Sequence, residues 1–296
     1  MNIIEALQFA NDKLKSLGGQ DSSMLDAQIL LSAAMGLSKT KLVTTLNQTL
    51  TQEQKERFES LVARRLKHEP VAYLIGRKEF FKRLFIVTPE VLIPRPDTEV
   101  LIEEALAKAA QENPDTTLFA DIGTGSGAIA VTLAAESSIP VVAIDVSAKA
   151  LTIAKENARA NKVEDHIDFR EGSLIEPLTR LFKKLASTNA HIERLILCAN
   201  LPYLADTQWS EGQAEIHFEP PLALRAGPDG LDLYFQLFRD LARARNLFPA
   251  RLCAIVEIDP AQAHGIQHII THDFPDAVCE IKKDLGGLSR VVIAEL

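Results

Sequence analysis

Leu118-Phe119-Ala120-Asp121-Ile122-Gly123-Thr124-Gly125-Ser126-Gly127-Ala128-Ile129-Ala130-Val131 is the stretch that decides the fold. Its apolar opening, Leu118 to Ala120, reads as a buried strand. Glycines then stand at 123, 125 and 127, and Ala128 to Ala134 reads as a helix. The same alternation runs on downstream. Val141 to Ile144 is a strand ending in Asp145, and Leu151, Ala154 and Ala158 mark a helix. Ile167-Asp168-Phe169 and Leu195 to Ala199 are two further strands. A helix from Leu231 to Asn246 leads to the strand Leu252 to Ile258, and Pro260 opens a helix to about His272. Val278 to Ile281 and Arg290 to Ala294 are short final strands joined through Gly286-Gly287. Strands alternating with helices predict an α/β fold, a doubly wound, mostly parallel sheet of seven strands.

Upstream the period changes. Ile3, Ile4, Leu7, Ala10, Leu14 and Leu17 follow helical spacing, with Gly18-Gly19 as the expected stop. Asp21 or Ser22 is placed as the cap of a second helix that closes at Gly36, and Ser38 opens a short third. Thr51 with Gln54 forms a capping box for a helix carrying Phe58, Leu61, Val62 and Leu66, and Pro70 is expected to end it. Glu79 to Val87 reads as a hairpin around a Lys82-Arg83 turn. Val91 to Asp97 is extended, since each residue before a proline leaves the α region. A helix is expected to start at Asp97 or Thr98. The organisation predicted is therefore a small all-helical domain over 1–75, a hairpin and extended linker over 76–96, and the sheet domain over 97–296.

A net charge of −8 argues against an extended nucleic-acid or membrane surface, either of which calls for a basic excess. The helical domain is balanced, with nine basic and eight acidic residues up to Ile75. No apolar run approaches the roughly 18 residues of a membrane span, and Met1 to Glu5 carries no basic-then-apolar leader pattern. Three cysteines without paired spacing predict neither a disulfide framework nor a zinc motif, and a reducing cytoplasm is the expected compartment.

Glycines between a strand and a helix let backbone pass close to a ligand and turn helix-start N–H groups toward it. Asp145, 18 residues after Gly127, ends the next strand, where its carboxylate can accept both ribose hydroxyls of an adenosine. Gly123-x-Gly125-x-x-Ala128 also fits a dinucleotide pattern. Asp121 before the first glycine instead fits the Asp-x-Gly-x-Gly pattern of S-adenosylmethionine sites, where the acid lies near the cofactor's amino-acid end.

Asn200-Leu201-Pro202-Tyr203 follows the fourth strand. A carboxamide nitrogen is a poor nucleophile because its lone pair is delocalised. Methyl transfer to it needs alignment and acceptors for its N–H bonds. The Asn200 side-chain oxygen and the Leu201 main-chain carbonyl are two such acceptors, Pro202 restricts Leu201, and Tyr203 can stack on a planar group. Together with the glycine loop, this predicts an S-adenosylmethionine-dependent methyltransferase acting on a planar nitrogen.

With these residues the chain resembles the peptide chain release factor glutamine methyltransferases. The resemblance spans nearly the whole length. It is carried by Leu92-Ile93-Pro94-Arg95-Pro96-Asp97-Thr98-Glu99, by Asp121 to Ala130, by the Asn200 motif, by Phe218-Glu219-Pro220-Pro221-Leu222-Ala223-Leu224 and by Gly227-Pro228-Asp229-Gly230-Leu231. It implies a helical N-terminal domain that docks the release factor, and a methyltransferase domain that modifies the glutamine amide of the factor's Gly-Gly-Gln loop. It further implies cofactor contacts from Asp121, Gly123, Thr124, Gly125, Ser126, Gly127, Asp145, Ser173, Leu174 and Asn200, with Asn200, Leu201, Pro202 and Tyr203 at the glutamine. A monomer without stable nucleic-acid binding is expected. Two departures stand out: Leu201 replaces the first proline of the usual Asn-Pro-Pro-Tyr, and Ser173-Leu174 replaces an acid and an aromatic residue. Asn-Leu-Pro-Tyr is close to the form in ribosomal RNA adenine dimethyltransferases, so an adenine-N6 methyltransferase is the alternative. A glutamine methyltransferase of a ribosomal protein is a second one.

Three further features read as structure. His264, His268 and His272 share a helix face without other metal ligands, and Arg64-Arg65-x-Lys67-His68 reads as a solvated helix end. Trp209 and Glu211 are assigned equally to a flap or to packing.

Overall fold

The computed structural model describes residues 1–17, 20–188 and 191–296, which form two compact units. The first holds Met1–Arg77 with Gln213–Phe218, and the second Lys78–Gly212 with Glu219–Leu296.

In the first unit, α1 (Ile3–Leu14), α2 (Gln20–Met35), α3 (Lys39–Thr44), α4 (Gln52–Arg65) and α5 (Val71–Ile75) enclose a core around Ile3, Leu30, Leu31 and Phe58. Local chemistry sets their starts. Ser38 caps α3, and Thr51 and Gln54 close a reciprocal capping box on α4. The Gly18-Gly19 stop lies outside the described residues. Asp21 and Ser22 fall inside α2, which already starts at Gln20. Pro70 starts a helix rather than ending one: α4 stops at Arg65, Pro70 is the N-cap of α5, and Gly76 closes α5 at φ 72°. Arg65 is not a solvated helix end. It is 11% exposed and pairs with Asp26 at 2.8 Å and Glu215 at 2.5 Å, which brings the 213–218 segment into this unit.

The hairpin β1 (Arg77–Phe80) and β2 (Arg83–Ile86), which belongs from Lys78 on to the second unit, turns at Phe81-Lys82, one residue earlier than the sequence suggests. Both turn residues have positive φ, the conformation whose twist matches a two-residue hairpin. Phe80 and Phe85 are buried in the core of this unit.

The sheet elements follow in order: α6 (Thr98–Ala109), β3 (Thr117–Ile122), α7 (Ala128–Glu136), β4 (Val141–Asp145), α8 (Ala148–Ala160), β5 (Ile167–Glu171), α9 (Glu176–Leu185), β6 (Arg194–Ala199), α10 (Asp206–Ser210), α11 (Asp232–Arg243), β7 (Arg251–Glu257), α12 (Ala263–Asp273), β8 (Val278–Lys283) and β9 (Ser289–Glu295). The seven strands lie in the order β5-β4-β3-β6-β7-β9-β8. Pairings are parallel except β7 with β9 and β8 with β9. Alternate residues feed two cores. Leu118, Ala120 and Ile122 face Leu178, Phe238 and Ile266, while Phe119 faces the side of Leu101, Ile129 and Val131. Helix α9 is an addition to the sequence reading. Its Leu178, Leu181, Phe182 and Leu185 recur at helical spacing and pack on the first of these cores. Chain order reverses beside β3, where ligands bind at the carboxyl ends of the strands in open α/β sheets.

Candidate active site

At those strand ends lies a cavity of about 380 Å³. Its wall includes Gly123 and Gly125 after β3, Asp145 after β4, Ser173 and Leu174 after β5, and Asn200, Leu201 and Pro202 after β6. A smaller cavity of about 30 Å³ adjoins it, and Leu92, Asn200, Leu201, Pro202 and Ala223 line both. Tyr203 and Arg95 line only the smaller one. The Asn200 loop is therefore the partition between two spaces, one beside the glycines and one beside the tyrosine.

The other residues assigned to the cofactor sit behind the wall. Asp121 is fully buried and absent from the lining. It accepts the Thr124 hydroxyl at 2.6 Å and the Ala130 N–H at 3.1 Å. Burial pushes its carboxyl up to about 7, against those two bonds. Thr124 serves that buttress, the Ser126 carbonyl accepts from Asn157 at 2.8 Å, and neither residue lines the cavity. At Gly127, φ is 82° and a Cβ would meet the Ala154 Cβ at 3.1 Å, so this glycine permits close packing of α7 on α8. The loop's N–H groups also turn inward more than the motif implies. Gly123 and Thr124 donate to the Ile144 carbonyl, Gly127 to the Thr124 carbonyl, and Gly125 to Asp145 Oδ2 at 2.8 Å. A loop so engaged has few donors left for a pyrophosphate. It keeps its other assets, a close glycine backbone and a strand-end carboxylate.

Asp145 takes that role from a fixed position. Its second oxygen accepts the Ser147 N–H at 2.8 Å, and burial raises its pKa against these backbone bonds. Each oxygen accepts one backbone N–H and retains further acceptor capacity, as an adenosine ribose requires. Leu174, at φ 45° and 8% exposed, presents an apolar surface beside it. This donor-poor, glycine-backed wall, with a strand-end carboxylate at Asp145, a second carboxylate at Glu90 and an apolar flank, fits an adenosine-bearing sulfonium group.

The Asn200 loop is held by side chains distant in sequence. Asn200 Nδ2 donates to the Thr98 hydroxyl at 3.1 Å, which leaves Oδ1 as the atom available to a ligand. The Leu201 N–H donates to the Tyr234 hydroxyl at 3.3 Å. Tyr203 donates its hydroxyl to Glu257 Oε1 at 3.1 Å, and its carbonyl accepts from Gln262 at 2.9 Å. Burial pushes the Glu257 carboxyl up to about 7, opposed by the Thr98 and Tyr203 hydroxyls. Burial, followed by the nearby Glu257 charge, drives the Tyr203 phenol far above its ordinary range, so Tyr203 is a neutral donor and not a base. Gly230 lies so close that a Cβ there would stand 2.0 Å from the Tyr203 carbonyl. Glu219 is 3% exposed, accepts the Ile93 N–H at 3.0 Å and pairs with Arg95. The Ile93–Arg95, Glu219 and Gly230 segments thus frame one loop, and the signal for them was the density of Pro and Gly around single acids.

The three histidines of α12 are exposed, and no group of His, Cys, Asp and Glu suited to a metal occurs among the described residues. Trp209 lies under the Arg225 guanidinium at 4.9 Å, and Arg225 also pairs with Asp206. None of the helices among the described residues is long and apolar enough to cross a membrane.

Two family models match the N-terminal and the central part of the chain. Residues 5–76 match the PrmC N-terminal domain, and residues 97–184 match the ribosomal protein L11 methyltransferase (PrmA) family. The human methyltransferase 10 domain containing protein superposes with a TM-score of 0.51 at 17% identity, covering 84% of this chain and 98% of that one, a likeness of fold alone. The release factor glutamine methyltransferase of Enterococcus faecalis is 34% identical over 294 residues, 98% of each chain. That of Bacillus cereus is 32% identical over 300 residues, covering both chains completely. Matches of this length and identity leave no part of the chain to another origin, and it belongs to the release factor glutamine methyltransferase family.

Proposed function

We propose that this chain transfers a methyl group from S-adenosylmethionine to the side-chain amide nitrogen of the glutamine in the Gly-Gly-Gln loop of peptide chain release factors. The observation that carries the reading is the partition: Asn200 and Leu201 line both the glycine-walled cavity and the smaller one beside Tyr203. A donor in the first and an amide in the second would meet across the same two residues.

When bound, S-adenosylmethionine supplies an electrophilic methyl carbon. Gly123, Gly125 and Asp145 would hold its adenosine, with Ser173 and Leu174 along the base. Asn200 Oδ1 and the Leu201 carbonyl would accept the two amide N–H bonds, aiming the nitrogen lone pair and stabilising the charge that develops on it. Transfer needs no general base ahead of it. Of the three carboxyls that burial raises, Asp145 is held by the Gly125 and Ser147 N–H groups where the ribose would sit, and Asp121 and Glu257 line neither cavity. The proton leaves to water after transfer, and catalysis is mainly proximity and orientation.

The helical unit would contribute the surface that docks the release factor, and the protein would act as a cytoplasmic monomer. With a net charge of −8 it would not hold nucleic acid stably. Radiolabelled donor should mark a purified release factor, and the label should vanish when the Gly-Gly-Gln glutamine becomes alanine. Label appearing in RNA and not in the factor would overturn the reading.

A further inference from the structure

Beyond β6, the Asn200 loop has no ladder of its own until Leu204, which exchanges bonds with Leu224 and Ala226. The Leu201 carbonyl must therefore be aimed by other means. Pro202 restricts Leu201 from the C-terminal side. On the other side, the Leu201 N–H donates to the Tyr234 hydroxyl at 3.3 Å, and that hydroxyl donates to the main-chain carbonyl of Glu257. Tyr234 is fully buried on α11, and Glu257 is the last residue of β7, so the bridge ties the loop to the rigid sheet. The Leu201 side chain is 4% exposed and abuts the glycine loop, where a Cβ on Gly123 would meet its Cδ2 at 3.1 Å. Tyr234 lines neither cavity.

We propose that Tyr234 is a positioning residue for methyl transfer: by bridging the Leu201 N–H to the Glu257 carbonyl, it sets φ at residue 201 and so aims the Leu201 carbonyl. The inference rests on the reading of that carbonyl as an acceptor for the substrate amide. A hydroxyl gripping the N–H does non-covalently what a pyrrolidine ring at position 201 would do covalently, since a ring fixes φ and has no N–H to hold.

Tyr234→Phe in the full chain tests this. Turnover on a purified release factor should fall about tenfold, the scale of one lost hydrogen bond, while affinity for S-adenosylmethionine, read by calorimetry, stays within about twofold. In the double variant Leu201→Pro with Tyr234→Phe, the ring replaces the bridge, and turnover should recover to within about threefold of Leu201→Pro alone. Unchanged turnover in Tyr234→Phe overturns the proposal. So does a double variant that melts like Leu201→Pro yet is about tenfold slower than it, because Tyr234 would then act without the N–H. Amide hydrogen exchange at Leu201 needs no substrate: it should be faster in Tyr234→Phe, and unchanged exchange overturns the bridge. A wild-type chain that labels no glutamine defeats the functional reading instead, and exchange at Leu201 still decides whether the bridge exists.

Discussion

The glycine loop and the Asn200 loop line one cavity and are held in opposite ways. The first is supported from close by in sequence: its bonds to Asp121 and Asp145 span 3, 9 and 20 residues. The second is supported from afar, by Thr98, Tyr234, Glu257 and Gln262 at separations of 102, 33, 54 and 59 residues. A unit braced by the next strand and helix needs less loop closure. A loop held by distant groups exists only once the rest of the sheet has docked. Damage to the first should therefore register in donor affinity, and damage to the second in turnover.

The largest separation is expected from Asn200→Ala. Turnover should drop about 10²–10³-fold, as for loss of one preorganised group facing developing charge, with donor affinity within about threefold. Steady-state kinetics beside calorimetry reads both, and equal losses in the two would erase the contrast. Asp145→Ala should do the reverse, weakening donor binding by about 10- to 100-fold for the loss of charged hydrogen bonds while leaving KM for the protein substrate nearly unchanged. A raised KM for the factor with intact donor binding would reverse the assignment.

Gly230→Ala probes the Asn200 side through the backbone. A Cβ at φ 75° would collide with the Tyr203 carbonyl, so a stability loss of about 1–3 kcal/mol should accompany slower turnover at preserved donor affinity. Thermal unfolding with single-turnover rates checks both parts.

The buried acids behind each loop give a pH signature. Asp121 and Glu257 ordinarily titrate at 3.8 and 4.5, and burial raises both to about 7 in the fold. Between those values the folded chain binds more protons than the unfolded one, so stability is fully present below the unfolded pKa and is lost as pH rises toward 7. Raising a carboxyl's pKa by one pH unit on folding corresponds to about 1.4 kcal/mol. Urea denaturation from pH 4 to 8 should show this decline, and Asp121→Asn or Glu257→Gln should each flatten it. A slope untouched by either variant would remove both acids from the account. The smallest effect belongs to the helical unit: Arg64→Ala breaks a half-exposed pair with Glu69 and should cost under about 1 kcal/mol, against several times that for the buried Arg65→Ala.

The same contrast governs what could be read in advance. Capping boxes at Thr51, the cap at Ser38 and the strand-glycine-helix unit are written in adjacent residues, and so was the alternation that predicts the sheet. Helix α9 is legible in the same way, through its apolar period and the Pro177 in its first turn. At Asp121 the motif specifies spacing and not side-chain direction. One oxygen, Oδ2, accepts from Thr124 and Ala130, while Oδ1 is buried without a hydrogen-bond partner among the described residues.

By itself, the sequence determined the fold class, the strand carrying each half of the site, and the loop where an amide could be gripped, because those features depend on periodicity and on neighbours along the chain. Tertiary structure alone decided which polar groups hold that loop. Tyr234, Glu257 and Gln262 carry no mark of their task in local pattern, and their partners in the loop lie 33 or more residues away. Burial then altered their chemistry: a carboxylate that water would keep ionised is driven up to about 7, and a phenol is kept neutral as a donor, once the sheet closes over them.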